Sequence, residues 1–251
     1  MREKDKNMRV EIPLFFVLGA VLGSFTNLLI YRLPRKISIL NPRRSVCPNC
    51  GKVIPWYDNI PILSYIILRG RCRHCGWKIP WRYLIVELLM SSLFALNSAV
   101  LDLRESIIAS MLVFAVVLLT FVDLEYMIIP DTSFFTILIA GVLETIFSGK
   151  IIANVLTAAF TFLIFIGVRY ISKKGLGMGD VKLFAVSGLL LGPLNMIFSV
   201  FLASISGILV ILPAMLKGNL GMRSRIPFGP FIGWSVYCVF ILKDWIESLI
   251  I

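Results

Sequence analysis

The stretch Gly175-Leu176-Gly177-Met178-Gly179-Asp180-Val181-Lys182 places three glycines at alternate positions, then an acid, at the start of the uncharged run 183–215. A single helix over 183–215 would be about 50 Å long, which exceeds the ~30 Å of a bilayer core. Gly192-Pro193 is the natural break, so the run predicts two membrane helices. An acid at the centre of a membrane helix costs roughly 2.5–3.5 kcal/mol on insertion scales, so Asp180 is a candidate functional residue.

The composition of the chain is that of a membrane protein. Of its 251 residues, 58% are hydrophobic and only 16% are charged, whereas about 25% are charged in soluble proteins. Backbone polar groups must be satisfied internally in a bilayer, and the apolar runs are continuous rather than alternating, which favours helices over a barrel. We predict an all-α polytopic membrane protein with about eight transmembrane helices, at 12–31, 83–101, 106–122, 132–147, 151–168, the two parts of 183–215, and 226–242.

The chain divides by composition into three predicted regions. The first, 1–32, is an N-terminal tail and a membrane helix in which Gly19 and Gly23 allow close helix packing. Its apolar run lacks a small-residue cleavage pattern, so we expect no cleavable signal peptide. The second region, 33–81, is polar, basic and rich in proline, and it holds four of the five cysteines. The third, 82–251, is a membrane domain that carries Asp123 and Asp180.

The distribution of basic residues predicts the orientation in the membrane. The net charge is +11, and many of the basic residues lie in loops beside apolar runs, which indicates topology and lipid contact rather than nucleic-acid binding. Most Lys and Arg residues lie in 33–81 and in the connections 169–174 and 217–225, so the positive-inside rule places these segments in the cytoplasm. With alternating helices, Asp123 and Asp180 then lie at the same membrane face, at the ends of different helices.

Two aspartates at one membrane face suggest an aspartyl protease. One carboxylate takes a proton from water while its protonated neighbour polarises the peptide carbonyl, and two carboxyls a few ångströms apart share one proton because ionising both is costly. Glycines before Asp180 allow close approach of an extended peptide, and a proline after Asp123 helps to end its helix. We therefore predict Asp123 and Asp180 as catalytic residues, with substrate contacts at Gly177, Gly179, Lys182 and Pro130.

Other interpretations of these acids stay open at this point. Asp180 is also a candidate helix N-cap, and Glu125 and Asp131 are rivals for the role of Asp123. A dinucleotide-binding loop is disfavoured because no strand precedes the glycines. A proton-coupled membrane transporter also uses intramembrane acids beside glycine-broken helices, but it predicts acids near the midplane and an inverted repeat.

The cysteines of the 33–81 segment form a second signal. Cys47-Pro-Asn-Cys50-Gly and Cys72-Arg-His-Cys75-Gly are two Cys-x-x-Cys-Gly knuckles, and this pattern predicts a four-cysteine zinc site. A closed site of four thiolates is structural rather than catalytic, which counts against a zinc enzyme or scaffold with the cysteines as its working part. Disulfides are disfavoured if the segment is cytoplasmic, and His74 is expected to face solvent.

Five ordered motifs resemble the type IV prepilin leader peptidase family, membrane aspartyl proteases with a Gly-x-Gly-Asp motif. The resemblance covers almost the whole chain. It lies in 23–34 of the first helix, in the cysteine knuckles with 56–61 and 69–72, in Asp123 with Ile129-Pro130-Asp131, in Gly177-Met178-Gly179-Asp180-Val181-Lys182, and in Pro227-Phe228-Gly229-Pro230.

The resemblance implies a substrate and further chemistry that the spacing alone does not. The substrate is expected to be a prepilin or pseudopilin, with a short basic leader that is cleaved after a glycine at the cytoplasmic face of the bacterial inner membrane. Asp123 and Asp180 are implied as the dyad, with Asp131 assigned no catalytic role. Many members also N-methylate the new amino terminus with S-adenosylmethionine, and this activity is expected from the resemblance alone.

Overall fold

The computed structural model describes residues 2–41, 44–172, 175–217 and 226–250. The described residues form helices and two isolated β-bridges, with no strand. A 3-10 turn spans Trp56–Asn59, and the helices are α1 Arg2–Arg32, α2 Leu63–Ile67, α3 Arg82–Val100, α4 Leu103–Tyr126, α5 Asp131–Ser148, α6 Ile151–Ile171, α7 Met178–Leu216 and α8 Gly229–Ile250. The basic residues expected at 173–174 and 218–225 lie outside this part of the chain.

The helices confirm an all-α multi-pass membrane protein. Within the described residues, six are long and apolar enough to cross a bilayer, namely Val10–Arg32, Arg82–Val100, Leu103–Tyr126, Asp131–Ser148, Ile151–Ile171 and Met178–Pro213. The last of these corresponds to the two spans predicted in 183–215. It is interrupted at Gly192, where the backbone leaves the helical conformation at φ 71° and ψ −178°. A positive φ is accessible to glycine, and Pro193 cannot donate a helical hydrogen bond. The break predicted at Gly192-Pro193 is therefore confirmed.

The eighth predicted span, α8, is not among these six. Its second half carries Lys243, Asp244 and Glu247. Lys243 forms a partly buried ion pair of 2.8 Å with Glu144 of α5, and Glu247 accepts a hydrogen bond from Asn195 of α7 at 3.2 Å. Partners on other helices therefore accommodate charges that lower the apolar character of α8.

The chain forms two compact units, Met1–Leu118 and Leu119–Ile251. In the first unit, α1 packs against α3 through the two glycines that the sequence singled out. A Cβ atom placed on Gly19 would lie 2.7 Å from the carbonyl oxygen of Met90, and one on Gly23 would lie 2.8 Å from the Cα atom of Glu87. Because both neighbours are backbone atoms, the helices could not approach this closely with any larger residue.

In the second unit, α7 is the central element and packs against α5, α6 and α8. The first part of α7 ends beside a group of polar side chains. Asn154 of α6 donates a hydrogen bond of 3.1 Å to Thr145 of α5. Thr145 in turn donates to the carbonyl oxygen of Leu189 at 2.8 Å. These bonds tie three helices together one turn before the break at Gly192.

Candidate active site and four-cysteine cluster

Asp123 lies in the last turn of α4 and is buried, with 6% of its surface exposed. Its Oδ2 atom accepts a hydrogen bond of 3.1 Å from the backbone N–H of Gly229, the first residue of α8. The first N–H groups of a helix have no partner within the helix and attract negative charge. The carboxyl of Asp123 therefore caps a helix 106 residues further along the chain.

Asp180 lies in the first turn of α7, where Gly177 is the N-cap residue. The carboxyl of Asp180 accepts a hydrogen bond from the backbone N–H of Gly177, in the manner of an acid at the third helical position that reaches back to the N-cap. Asp180 is thus not itself the N-cap. A Cβ atom on Gly177 would lie 2.8 Å from Oδ2 of Asp180, so a glycine leaves room for the carboxyl.

The structure brings the two carboxyls together. The charge of Asp123 acts on Asp180, although 56 residues separate them in sequence. Next to the acids, Ile129 packs on Gly179, where an added Cβ would lie 2.8 Å from Ile129 Cδ1. The short connection after α4 therefore lies against the first turn of α7, and a side chain at 179 would force it away.

The sequence did not indicate two residues that support this arrangement. Gly229 was noted only as part of a resemblance motif, and Arg169 only as a flanking charge. Arg169, near the end of α6, donates from Nη1 to the carbonyl oxygen of Leu176, which holds the glycine-rich turn before α7. Below the turn, the Phe165 and Phe184 rings stack with centroids 4.0 Å apart. The contact of Asp123 with Gly229 joins two helices 106 residues apart, and that of Arg169 is to a backbone carbonyl in the following turn, so neither is marked by a pattern of residue types.

The remaining predicted residues have differing environments. Pro130 is buried and precedes α5 with an extended backbone, φ −66° and ψ 135°. Gly177 and Lys182 are exposed and Gly179 is half-buried. Glu125 and Asp131, the other two acids considered for the role of Asp123, are both exposed. Asp123 is buried and close enough to Asp180 for their charges to interact.

The four cysteines of the first unit meet at one point. The sulfur atoms of Cys47, Cys50, Cys72 and Cys75 all lie within 4.8 Å of one another, and none is in a disulfide. Cys47 and Cys75 have sulfurs 3.8 Å apart. Four sulfurs around a tetrahedral zinc at ~2.3 Å would be ~3.8 Å apart, so the cluster fits that metal.

The two knuckles have the same backbone geometry. The N–H groups of Cys47 and Cys72 donate to the carbonyl oxygens of Lys52 and Trp77, at 2.9 and 2.8 Å. Each second cysteine is followed by a glycine with positive φ, 68° at Gly51 and 70° at Gly76, which agrees with the expected tight turns.

One thiol of the cluster, that of Cys75, is favoured in its charged form. The side-chain amide of Asn49 donates to the sulfur of Cys75 at 3.5 Å. This hydrogen bond is the main reason that the pKa of Cys75 is lowered to about 6, and a thiolate is the form that binds metal. His74 is exposed and is not part of the cluster.

Comparison with known proteins identifies the family. Residues 17–101 match the bacterial peptidase A24 N-terminal domain, and residues 110–212 match the type IV leader peptidase family. The chain belongs to the type IV leader peptidase family. This family membership makes the protein a peptidase, and it agrees with the motifs described from the sequence.

Proteins named prepilin leader peptidase/N-methyltransferase are similar over most of the chain. The protein from Myxococcus xanthus (strain DK1622) is 36% identical over 85% of this chain and 67% of its own length. That from Vibrio cholerae is 34% identical over 73% of this chain and 78% of its own length. That from Bacillus subtilis (strain 168) is 31% identical over 96% of this chain and 98% of its own length. No solved structure matches the chain.

Proposed function

We propose that the protein is an intramembrane aspartyl endopeptidase that removes the short basic leader of prepilins or pseudopilins. The names of its relatives support the substrate class. One observation in the molecule supports the proposal: the buried Asp123 at the end of α4 and the half-buried Asp180 at the start of α7 are near enough for their charges to interact.

The two carboxyls divide the catalytic work. Held close together they share one proton, because two adjacent negative charges are costly in a poorly solvated site. The ionised carboxyl removes a proton from the attacking water, and the protonated carboxyl donates a hydrogen bond to the carbonyl of the scissile peptide. The N–H groups of Gly229 and Gly177 hold the two side chains in place, which reduces the reorganisation needed during reaction.

Substrate contact is assigned to the surface next to the dyad. Gly177 and Gly179 present backbone without side chains to an extended leader, and Pro130 shapes the turn that faces Gly179 through Ile129. Lys182 is exposed two residues after Asp180 and offers a cation to a carbonyl or carboxylate of the bound chain. The apolar helix of the precursor lies in the lipid, with the scissile bond after a glycine at the cytoplasmic rim.

The cysteine cluster is proposed as a structural zinc site. Four thiolate ligands leave no open position for water or substrate, so the ion contributes to folding rather than to hydrolysis. The positive-inside rule places this segment and the dyad on the cytoplasmic side of the bacterial inner membrane. The domains are then 1–32, 33–81 and 82–251, with both aspartates in the last.

The relatives' names also support methylation of the new amino terminus with S-adenosylmethionine. When bound, this donor would supply a methyl group to the amine nitrogen, with the electrons of the broken carbon–sulfur bond kept by sulfur and a proton lost from the amine. The first unit contains a cavity of about 310 Å³, a volume at the lower end of the ~300–1,000 Å³ found for small-molecule sites.

An assay on a synthetic precursor tests both activities in one measurement. The purified protein is incubated with a peptide that has a basic leader, a glycine and an apolar helix, with and without S-adenosylmethionine, and the products are analysed by mass spectrometry. We expect cleavage after the glycine in both samples and one added methyl group only with the donor. An intact peptide would contradict the peptidase proposal, and cleavage without methylation would contradict the second activity alone.

A further inference from the structure

The second unit contains a groove between α6 and the part of α7 that follows Gly192. Both walls belong to membrane-spanning helices, so the groove lies within the hydrocarbon core of the bilayer. Its volume is about 760 Å³. Because a cavity of ~150 Å³ holds benzene, this groove has room for roughly five apolar side chains of that size. Phe160 on one wall and Phe201 on the other are 66% and 64% exposed, so the groove is open to lipid.

The α6 wall of the groove carries small side chains at a helical spacing. Ala153, Thr157 and Thr161 line the groove, and residues four apart lie on the same face of a helix. Small side chains at this spacing allow the backbone of a neighbouring membrane helix to approach closely. This wall is therefore shaped for contact with a helix.

One hydroxyl in the groove has no hydrogen-bond partner among the described residues. Thr157 donates its hydroxyl to the carbonyl oxygen of Ala153 at 2.7 Å, and Ser204 donates to that of Val200 at 2.8 Å. The hydroxyl of Thr161 makes no such bond within the described chain, although only 6% of Thr161 is exposed. A buried hydroxyl without a partner is costly. An acyl chain offers no acceptor, whereas a peptide carries a carbonyl at every residue, so a peptide is the occupant that can complete this bond.

The α6 wall of the groove leads to Asp180. Phe165 lines the groove, and its ring stacks on Phe184 with centroids 4.0 Å apart. Phe184 follows Asp180 by about one turn of α7. The end of this wall is therefore separated from the carboxyl by about 6 Å, the length of four helical residues.

The α7 wall of the groove leads to Asp123. Gly207 lies one turn of α7 beyond the groove, and a Cβ atom on Gly207 would lie 3.1 Å from Cε2 of Phe228. Phe228 directly precedes Gly229, whose N–H group binds Asp123. The ring centroids of Phe184 and Phe228 are in turn 6.4 Å apart. A row of aromatic rings thus joins the ends of the two walls next to the dyad.

We propose that the groove binds the apolar helix of the precursor and thereby positions the scissile bond at Asp123 and Asp180. The inference rests on the peptidase activity proposed above. The described residues that line the groove include no charged side chain, so the basic leader stays at the cytoplasmic rim, where its charge is solvated. Since two extended residues cover about 7 Å, the scissile bond should precede the docked part of the helix by about two residues.

The first test is photo-crosslinking in phospholipid vesicles, with p-benzoylphenylalanine placed at single positions of the full-length protein. Phe160 and Phe201 report on the groove. Leu163 and Leu209 are matched controls, because they are 64% and 67% exposed on the same two helices but lie outside the groove. With the synthetic precursor described above, we expect at least fivefold more capture at the two groove positions than at the controls. Mass spectrometry should locate the crosslinks in the apolar helix of the precursor.

The second test fills the groove. Thr157→Trp places a large ring on the α6 wall, and Ala159→Trp is its control, because Ala159 is exposed on α6 but outside the groove. We expect Thr157→Trp to raise the KM for the precursor at least tenfold with kcat changed less than threefold, and the control to change neither by more than twofold. Thermal unfolding and zinc content show whether each variant is folded. If Thr157→Trp does not fold, the crosslinks decide the outcome.

Several outcomes would overturn the proposal. Equal capture at all four positions, capture of lipid alone, or capture of the leader in place of the apolar helix would each show that the groove does not bind the helix. An unchanged KM in a folded Thr157→Trp protein would show the same. Failure of the peptidase proposal is distinguishable, because it appears as an intact precursor with the wild-type protein, and the crosslinks then still decide whether the groove binds the helix.

Discussion

The four-cysteine cluster and the aspartate pair are assembled in opposite ways. Each knuckle is closed by bonds over five residues, such as Cys47 to Lys52 and Cys72 to Trp77, and the two knuckles are close in sequence. The aspartates come from separate helices and are held by Gly177 and Gly229, the latter 106 residues from its partner. A local site depends on turn chemistry, whereas a distant one depends on the packing of the whole unit. The same kind of substitution should therefore have different consequences in the two regions.

The largest expected effect is the loss of cleavage on removing either member of the dyad. General acid–base groups typically contribute 10²–10⁴-fold, so Asp123→Ala and Asp180→Ala should each lower the rate of leader cleavage by about 10³-fold or more, with zinc content unchanged. Mass spectrometry of the precursor peptide gives the rate. Glu125→Ala and Asp131→Ala are controls, because both acids are exposed, and an equal loss in Asp131→Ala would reopen the assignment of Asp123.

Removing the metal should affect folding first and catalysis second. Structural zinc sites supply about 10–16 kcal/mol of apparent binding energy in small domains, so Cys72→Ser or a strong chelator should lower the yield of folded protein and expose 33–81 to proteolysis. The protein that remains folded should cleave at its normal specific activity. Elemental analysis and limited proteolysis measure the first effect. One zinc per chain in Cys72→Ser would show that the cluster is not the metal site.

Substitution of one glycine in each of the two compact units extends the comparison, beginning with Gly229 beside the aspartates. Gly229→Ala would place a Cβ 2.8 Å from Oδ2 of Asp123, so the carboxyl must shift. Since a misplacement of about 1 Å can cost 10²-fold in rate, we expect a tenfold to hundredfold slower cleavage with little loss of stability. Gly167→Ala on α6 is the control, because nothing lies within 4 Å of its Cβ. Equal cleavage rates for the two variants would show that the hydrogen bond from Gly229 to Asp123 does not position the catalytic carboxyl.

In the first unit, the corresponding change should reduce stability instead. Gly19→Ala would place a Cβ 2.7 Å from backbone atoms of Met90 and Ser91, and overpacking of this kind costs typically 1–3 kcal/mol. We expect a lower midpoint of thermal unfolding in detergent and normal cleavage below it. Gly167→Ala again serves as the control. A cleavage defect as large as that of Gly229→Ala would contradict the separation of the two regions.

The smallest expected effect concerns the surface of the cysteine segment. Arg73 donates two hydrogen bonds to Asp58, at 2.6 and 2.8 Å, and these bonds hold the pKa of Asp58 below its usual value. Because Arg73 is half-exposed, the coupling should be small and within the range found for surface ion pairs. A double-mutant cycle of Asp58→Asn and Arg73→Gln, followed by thermal unfolding at pH 7, measures it. A coupling energy well above this range would mean that the pair contributes substantially to the folding of the cysteine segment.

Sequence reasoning succeeded where the cause is short-range. The knuckle glycines with positive φ, the break at Gly192 and the close approach at Gly19 and Gly23 each follow from a few adjacent residues or from one small side chain. The helix ends were less well predicted, since α1 begins at Arg2 rather than near residue 12. Apolar runs report where the membrane is, whereas hydrogen bonding decides where a helix begins.

The supports of the aspartates could not be predicted, for a physical reason. The bond from Gly229 to Asp123 and that from Arg169 to Leu176 involve backbone atoms, which every residue carries. Such contacts leave no pattern of residue types. In the same way, the charges of α8 lower its apolar character, and their partners Glu144 and Asn195 are found only after the helices have packed.

The hydrogen bond between Asp123 and the start of α8 gives one carboxyl two duties. The side chain proposed to activate water also fastens the last helix to the fourth. A displacement of α8 along its axis would therefore move the carboxyl of Asp123. A change in the ionisation of Asp123 would in turn change the strength of its hydrogen bond to α8. Mutations in the packing of α8, far from the substrate, should consequently emerge in screens for altered cleavage rate rather than in screens for misfolded protein.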